Sequence, residues 1–411
     1  MARELIEVTE ARRRVLERCE PLGDEGMPLE QALDRVLAED ITSGDDVPGF
    51  DNSAMDGFAV KAADTRGATP DEPATLRVVD ESRAGAPASA RLDAGEAIAI
   101  STGGMLPAGA DAVVRVEDTA PAGREVEVAV EVEPCRNVRR AGEDLRAGER
   151  VLKAGSILGP AELGVLASVG RDSARCSRRP RVTVLTTGDE LVAPSEPLRP
   201  GAVRNTNAYS VSALVARAGA DLAWVDTAPD DPEAIRAGVE RALDADVAVV
   251  CGGVSVGEHD AVRPALAALG AEEVFWGVAL RPGRPTWFGV HADGPGAGGA
   301  LAFGLPGNPV SAVVTFILLA RPAIRALLGA PADDPLRATA ILDEAYEKPP
   351  GRAHAVRCRL ELRDDGWHAR PTGEQGSHVL TSMVGADALA IVPTASGSVP
   401  AGERVAIELL G

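Results

Sequence analysis

Residues 246–260 read DVAVVCGGVSVGEHD. The unbroken apolar run 247–250 has the texture of a strand buried on both faces of a parallel sheet. It breaks into Gly252 and Gly253, and Ser255, Gly257, His259 and Asp260 follow before the next helical pattern. Glycines at such a point let backbone N–H groups close on a phosphate, with a helix N-terminus aimed at it. Ligands of open α/β sheets sit at the carboxyl edge of the strands. The stretch therefore predicts a phosphorylated ligand at such an edge, although a tight strand-to-helix turn fits the same residues.

The neighbouring sequence has the matching rhythm. Strand patterns at 182–185, 222–225, 247–250 and 274–276 alternate with helix patterns at 208–218, 232–243 and 262–269. Asp231 and Pro232 supply a cap and a first-turn proline for the second helix. Strand–helix alternation of this kind predicts a three-layer α/β domain around a mainly parallel sheet.

Three further segments of this domain carry polar chemistry. VTVLTTGDEL (182–191) repeats the design of the first stretch, ending in Thr187, Gly188, Asp189 and Glu190. Helix capping by the two acids is the competing reading. AFGLPGNPVS (302–311) places Pro306, Asn308 and Ser311 at the start of an apolar helix, with Asn308 as its expected cap. RPGRP (281–285) adds Arg281 and Arg284, whose planar forks suit phosphate or oxyanion geometry.

Outside this domain the texture changes. Residues 1–44 predict two helices, the first capped by Thr9 and the second carrying Leu29, Ala32, Leu33, Val36 and Leu37 on one stripe. A β-rich unit follows from residue 45, with Val126, Val128, Val130 and Val132 in strand alternation. The mixed segment 139–177 is expected to close back on the N-terminal helices, which makes the β-rich unit an insertion. The tail is β-rich again. These changes divide the chain into 1–44 with 139–178, 45–138, 179–332 and 333–411. Within the insertion, DNSAMDGFAV (51–60) knots Asp51, Asn52, Ser53 and Asp56 together. Asx turns explain the knot, and clustered oxygens of this kind also suit Mg2+ when a substrate brings phosphates.

Composition narrows the partners. The 411-residue chain carries 42 basic and 62 acidic side chains, a formal charge of −20, so it repels nucleic acid and anionic lipid in general. Aromatic residues at 3% leave little for base stacking. The clusters at 12–14 and 178–181 read as solvated surface. Five scattered cysteines form no disulfide or zinc pattern, and Cys251 reads as a buried strand thiol. Neither a signal sequence nor an apolar run able to span a bilayer is read, so the expected location is cytoplasmic.

Taken in order, DNSAMDGFA, AGEDLRAGE (141–149), TTGDEL, CGGVSVGEHD, RPGRP, GLPGNPVS and GEQGSHVLTSM (373–383) resemble the molybdopterin molybdenumtransferase family, which includes the E domain of gephyrin. TGGMLPAGADAV (102–113) adds a weaker match. The resemblance implies an elongated helical domain, an inserted β-domain, a molybdopterin-binding α/β domain and a C-terminal β-barrel. It also implies a homodimer whose partner chain contributes its β-insertion to the cleft. The implied reaction takes adenylyl-molybdopterin and molybdate with Mg2+, and releases AMP; an upstream molybdopterin adenylyltransferase is the implied supplier.

Carried over by position, Asp56, Asp144, Glu190 and Asp260 are the implied acidic residues, with Asp56, Glu190 and Asp260 at the metal. Thr187, Gly188, Asp189, Gly252, Gly253, Ser255, Gly257, Arg281, Arg284, Pro306, Asn308, Ser311 and Ser377 are the implied ligand contacts. One departure is visible: this chain reads RPGRP where the family often reads KPGKP, and a fork does not substitute neutrally for an ammonium. A fold-retaining scaffold, or a related adenylyltransferase, stands as the alternative.

Overall fold

The computed structural model describes residues 5–255, 260–296, 298–330 and 338–410. Its central sheet has the spatial order Asp221–Ala228, Arg181–Thr187, Val247–Cys251, Ala300–Leu305, Trp287–His291, Glu272–Trp276. The first four strands run parallel and the last two antiparallel. Alternate side chains feed two cores. Val182, Val184, Val247 and Val249 pack with Val211 and Val215 of one helix and with the buried helical stretch from Val310 onward. Leu185, Ala248 and Val250 pack on the other face with Ile235, Val239, Val262 and Leu266. Each such valine, leucine or isoleucine contributes about 1.5–3 kcal/mol on burial, and the sheet has layers on both faces, as its sequence rhythm predicts.

Helix Pro232–Ala242 starts as expected, with Asp231 accepting from Ala234 N–H at 2.8 Å. Helix Asn207–Arg217 is opened by Asn205, whose Oδ1 accepts from Ala208 N–H at 3.1 Å.

The N-terminal half is nested. Asp24–Pro28 pairs with Ser173–Ser177, Ile41–Thr42 with Arg150–Leu152, and Asn52–Ser53 with Val138–Arg139. Between these zipped flanks lies a six-stranded sheet built from residues 57–128. At the other end, Ala353–Arg363 pairs with Gly366–Pro371 and Ala388–Val392, and the ladder closes through Thr339–Leu342 and Arg404–Leu409. That closure makes a barrel with core residues Ala340, Val356, Cys358, Ala390 and Ile407. Leu280–Arg281 adds to it beside Ala353–His354, so the RPGRP loop links the α/β sheet to the barrel.

Several local expectations are corrected. The first helix runs Val8–Leu16 with Glu7 at its N-cap and no side-chain cap; Thr9 lies inside the first turn. The second helix does not form. Only Leu29–Gln31 turns, as a 3-10 segment, while Asp34 takes φ 61° and Val36 and Leu37 bridge to Ile157 and Cys176. Pairing with residues 156–177 overrides the helical stripe, and Leu33 is left exposed. The valine alternation ends as a strand at Val128; Val130 and Val132 pack against the insertion core from a loop.

The two basic clusters are not simply solvated. Arg12 reaches the buried Glu408 at 3.3 Å, and Arg178 grips the buried Asp246 at 2.8 and 3.0 Å. Among the described residues one helix, Pro309–Leu327, is by length and composition long and apolar enough to cross a membrane, contrary to the expectation that no such run exists. With 83% of its apolar window buried in the protein, it is a core helix here.

Candidate functional site at the strand edge

Parallel pairing sets the geometry. Thr186 is in register with Cys251, so Thr187–Gly188 and Gly252–Gly253 leave the sheet side by side. The crowding there demands glycine. A Cβ on Gly252, whose φ is +103°, would stand 2.7 Å from Thr187 Oγ1. One on Gly188, with φ +147°, would stand 2.5 Å from Glu190 Oε2, so the Glu190 carboxylate folds back over that turn. Trp276 Nε1 donates to Val254 O at 2.8 Å and pins the far side of the Gly252–Gly253 turn.

These turns open into a cavity of about 820 Å³. Thr187, Gly188 and Glu190 line one side, and Gly252, Gly253, Ser255 and Asp260 another. Pro306, Asn308 and Pro309 bring the start of the core helix to it, and Pro285 brings the end of RPGRP. Nine expected residues thus meet: Thr187, Gly188, Glu190, Gly252, Gly253, Ser255, Asp260, Pro306 and Asn308. Gly257 and His259 lie outside the described residues.

The remaining expectations are placed differently. Asp189 stands beside the cavity, exchanging bonds with Asp230: its N–H donates to Asp230 Oδ2 at 3.3 Å, and Asp230 N–H donates to its Oδ1 at 3.1 Å. Asp230 itself lines the cavity. Asn308 occupies the N-cap position, but its side chain does not cap. It donates instead to Ser377 Oγ at 3.1 Å, while Val310 N–H donates to Ser377 O at 3.2 Å. Ser377 therefore meets the site through Asn308, and Ser311 is buried within the helix. Arg281 and Arg284 are exposed on either side of Gly283, and among the described residues neither pairs with an acid.

Asp56 and Asp144 lie on the N-terminal module, outside the lining of this cavity. Both are exposed. Asp56 Oδ1 accepts from Thr102 N–H at 2.7 Å, and Asp144 N–H donates to Val47 O at 3.0 Å. Asp51 accepts from Ala141 N–H at 2.9 Å and pairs with Arg140, contacts that hold its carboxyl below the usual range. The polar knot thus joins DNSAMDGFA, TGGMLPAGADAV and AGEDLRAGE into one patch. Among the described residues no three His, Cys, Asp or Glu side chains converge as a metal cluster, so Asp56 does not join Glu190 and Asp260 within one chain.

Other cavity residues carried no motif of their own. Asn207 donates to Gly307 O at 2.8 Å, while its buried Oδ1 has no partner. Arg204, His378 and Leu380 complete the wall. His378 and Leu380 belong to the GEQGSHVLTSM segment, within which the sequence marks only Ser377 as a contact. Cys251 is the buried strand thiol expected, and burial pushes it to about 12.

A cavity at the carboxyl edge of parallel strands, walled by glycine turns, a helix start and carboxylates, defines a multidomain α/β protein of the strand-edge ligand-binding class. The chain matches the family model described as MoeA N-terminal region (domain I and II) over residues 6–170. It matches the probable molybdopterin binding domain over 183–326 and the MoeA C-terminal region (domain IV) over 339–410. The molybdopterin molybdenumtransferase of Haemophilus influenzae is 36% identical over 409 residues, covering 98% of each chain. That of Bacillus subtilis is 35% identical, covering 98% of this chain and 94% of its own. The crystal structure of the molybdopterin biosynthesis MoeA protein of Pyrococcus horikoshii OT3 superposes with a TM-score of 0.84 at 30% identity, covering 99% of this chain and all of that one. The chain belongs to the MoeA family of molybdopterin molybdenumtransferases.

Proposed function

We propose that this protein inserts molybdenum into adenylyl-molybdopterin, taking molybdate as co-substrate and releasing AMP. The observation that carries the reading is the meeting of Glu190 and Asp260 with the Gly252–Gly253 turn in one cavity. The backbone amide of Gly253 holds a pterin phosphate, Gly252 N–H being engaged with Leu305 O at 3.0 Å, and the start of the core helix adds its dipole. Ser255 and Thr187 supply hydroxyls beside them. Arg281 and Arg284 draw the oxyanion toward a chain of formal charge −20 that otherwise repels it. Their forks orient a tetrahedral oxyanion at two oxygens at once.

Mg2+ fits the donor set. Two carboxylates and the orphaned Asn207 Oδ1 are hard oxygen donors on one cavity, and Mg2+ needs few protein ligands when phosphates complete its shell. Glu190 and Asp260 would hold it, and it supplies charge neutralisation at the phosphates. The carboxylates also position the attacking oxygen at the adenylyl phosphorus.

The assembly we propose is a homodimer. Asp56 and Asp144 are exposed on a module that does not line this chain's own cavity, so a partner chain is the natural source of both. The work is cytoplasmic, with a molybdopterin adenylyltransferase supplying the substrate. The test is AMP release from adenylyl-molybdopterin with and without molybdate. Release only with molybdate supports the reading; a bound substrate that yields no AMP refutes it.

A further inference from the structure

Arg357 sits in the barrel strand Ala353–Arg363 with 1% of its surface exposed, yet no carboxylate faces it among the described residues. A buried charge without a counter-ion is costly unless hydrogen bonds surround it. Here they do. Nε donates to Ser382 Oγ at 3.1 Å, and Nη2 donates to Gly376 O at 3.2 Å and to Glu374 O at 3.4 Å. The backbone joins in. Arg357 N–H donates to Gln375 Oε1 at 2.9 Å, and its carbonyl accepts from Gln375 Nε2 at 3.3 Å and Thr372 N–H at 2.9 Å. Thr372 Oγ1 in turn donates to Ser382 O at 2.6 Å.

All these bonds end on one segment, 372–382. That segment has no strand ladder of its own; a 3-10 turn at Leu380–Met383 is its only regular element. It delivers Ser377 to Asn308, and His378 and Leu380 to the cavity wall. Arg357 does not line the cavity. A guanidinium fork is suited to this task because its donors leave in a fixed plane and cannot be lost by deprotonation.

We propose that Arg357 is a positioning residue for substrate recognition: it clamps segment 372–382 so that His378 and Leu380 complete the pterin cavity and Ser377 holds Asn308 beside it. The proposal rests on the molybdenum-insertion reading for its substrate, but not for its geometry. Arg357 acts on the bound ground state and touches no reacting atom, so its loss raises KM and spares kcat.

The test uses the full chain and its Arg357→Met and Arg357→Lys variants. Adenylyl-molybdopterin binding is titrated without molybdate, AMP release is then followed with it, and amide exchange is mapped over 372–382. Arg357→Met is expected to raise the Kd and KM about tenfold or more while kcat stays within about threefold, because the hydrogen-bonded charge is lost from recognition alone. Exchange should rise over 372–382 and not over the central sheet. Arg357→Lys keeps the charge with fewer aligned donors, and its KM should fall between the two. If Arg357→Met does not fold, Arg357→Lys alone must show the KM rise and the local exchange.

A Kd and exchange pattern equal to wild type in a folded variant overturns the proposal, as does a loss confined to kcat. Failure of wild type to release AMP sinks the insertion reading instead. The binding and exchange measurements still decide the role of Arg357 in that case.

Discussion

Thr187 Oγ1 lies 2.7 Å from where a Cβ on Gly252 would stand, across two parallel strands whose register puts Thr186 opposite Cys251. Gly252 also holds φ +103°, a conformation other residues rarely adopt. Gly252→Ala therefore meets both strain and a clash, and it should lower unfolding free energy by about 1–3 kcal/mol. It should also weaken adenylyl-molybdopterin binding, because relief requires the turn to move. Urea unfolding and a binding titration read the two effects; an unchanged midpoint with unchanged affinity contradicts the close approach.

The RPGRP loop allows a test of oxyanion capture. Arg281→Ala should raise the KM for molybdate about tenfold, the worth of one charge-assisted contact, with pterin binding little changed. Arg281→Lys should cost less but not be neutral, since the ammonium lacks the fork. Steady-state kinetics at varied molybdate separate the cases. Equal KM in Arg281→Ala and wild type would remove Arg281 from this role.

His354 makes the barrel's stability depend on acid. Burial, then the charges of Arg281, Lys348 and Arg352, push its pKa down to about 4, and Tyr346 Oη lies 3.1 Å from its Nδ1. The unfolded chain takes up a proton near the usual value of about 6.5 while the folded chain does not. The neutral form's contribution is complete above that value and is lost as pH falls toward about 4. Thermal midpoints from pH 7.5 downward should thus fall more steeply in wild type than in His354→Gln, by roughly the linkage of one proton. Parallel slopes would show that His354 is not held neutral.

Shared sites predict complementation between subunits. If Asp56 of one chain serves the cavity holding Asp260 of the other, a mixed dimer of Asp56→Asn and Asp260→Asn chains has one site with both defects and one with neither. Random mixing should then restore roughly a quarter of wild-type AMP release from two inactive parents, as a two-fold dimer requires. No restoration in mixed dimers, with each parent inactive alone, would place both acids in the same chain's site.

How much of this was legible follows from the reach of each signal. The strand ends at Thr187–Glu190 and Gly252–Ser255 are readable because apolar runs, glycines and acids are contiguous there; the strand order, which sets the two ends side by side, comes from the tertiary pairing. The helical stripe of Leu29–Leu37 misled because its partners, Ile157 and Cys176, are remote in sequence and impose bridges instead. Asn308 starts its helix as its sequence predicts but does not cap it, because Ser377, from the 372–382 segment, competes for its side chain. Asn207 and Arg357 carry no local signal of a role at the site. Their meaning lies in tertiary partners, Gly307 for one and the 372–382 carbonyls for the other.

The central claim is that Glu190 and Asp260 turn a pterin-binding cavity into a molybdenum-insertion site. The most direct test is AMP release from adenylyl-molybdopterin, measured with and without molybdate, in wild type and Asp260→Asn. Wild type should release AMP only with molybdate, while Asp260→Asn binds the pterin with affinity within about threefold and loses about a hundredfold or more in turnover. Undiminished, molybdate-dependent release by Asp260→Asn would contradict the account.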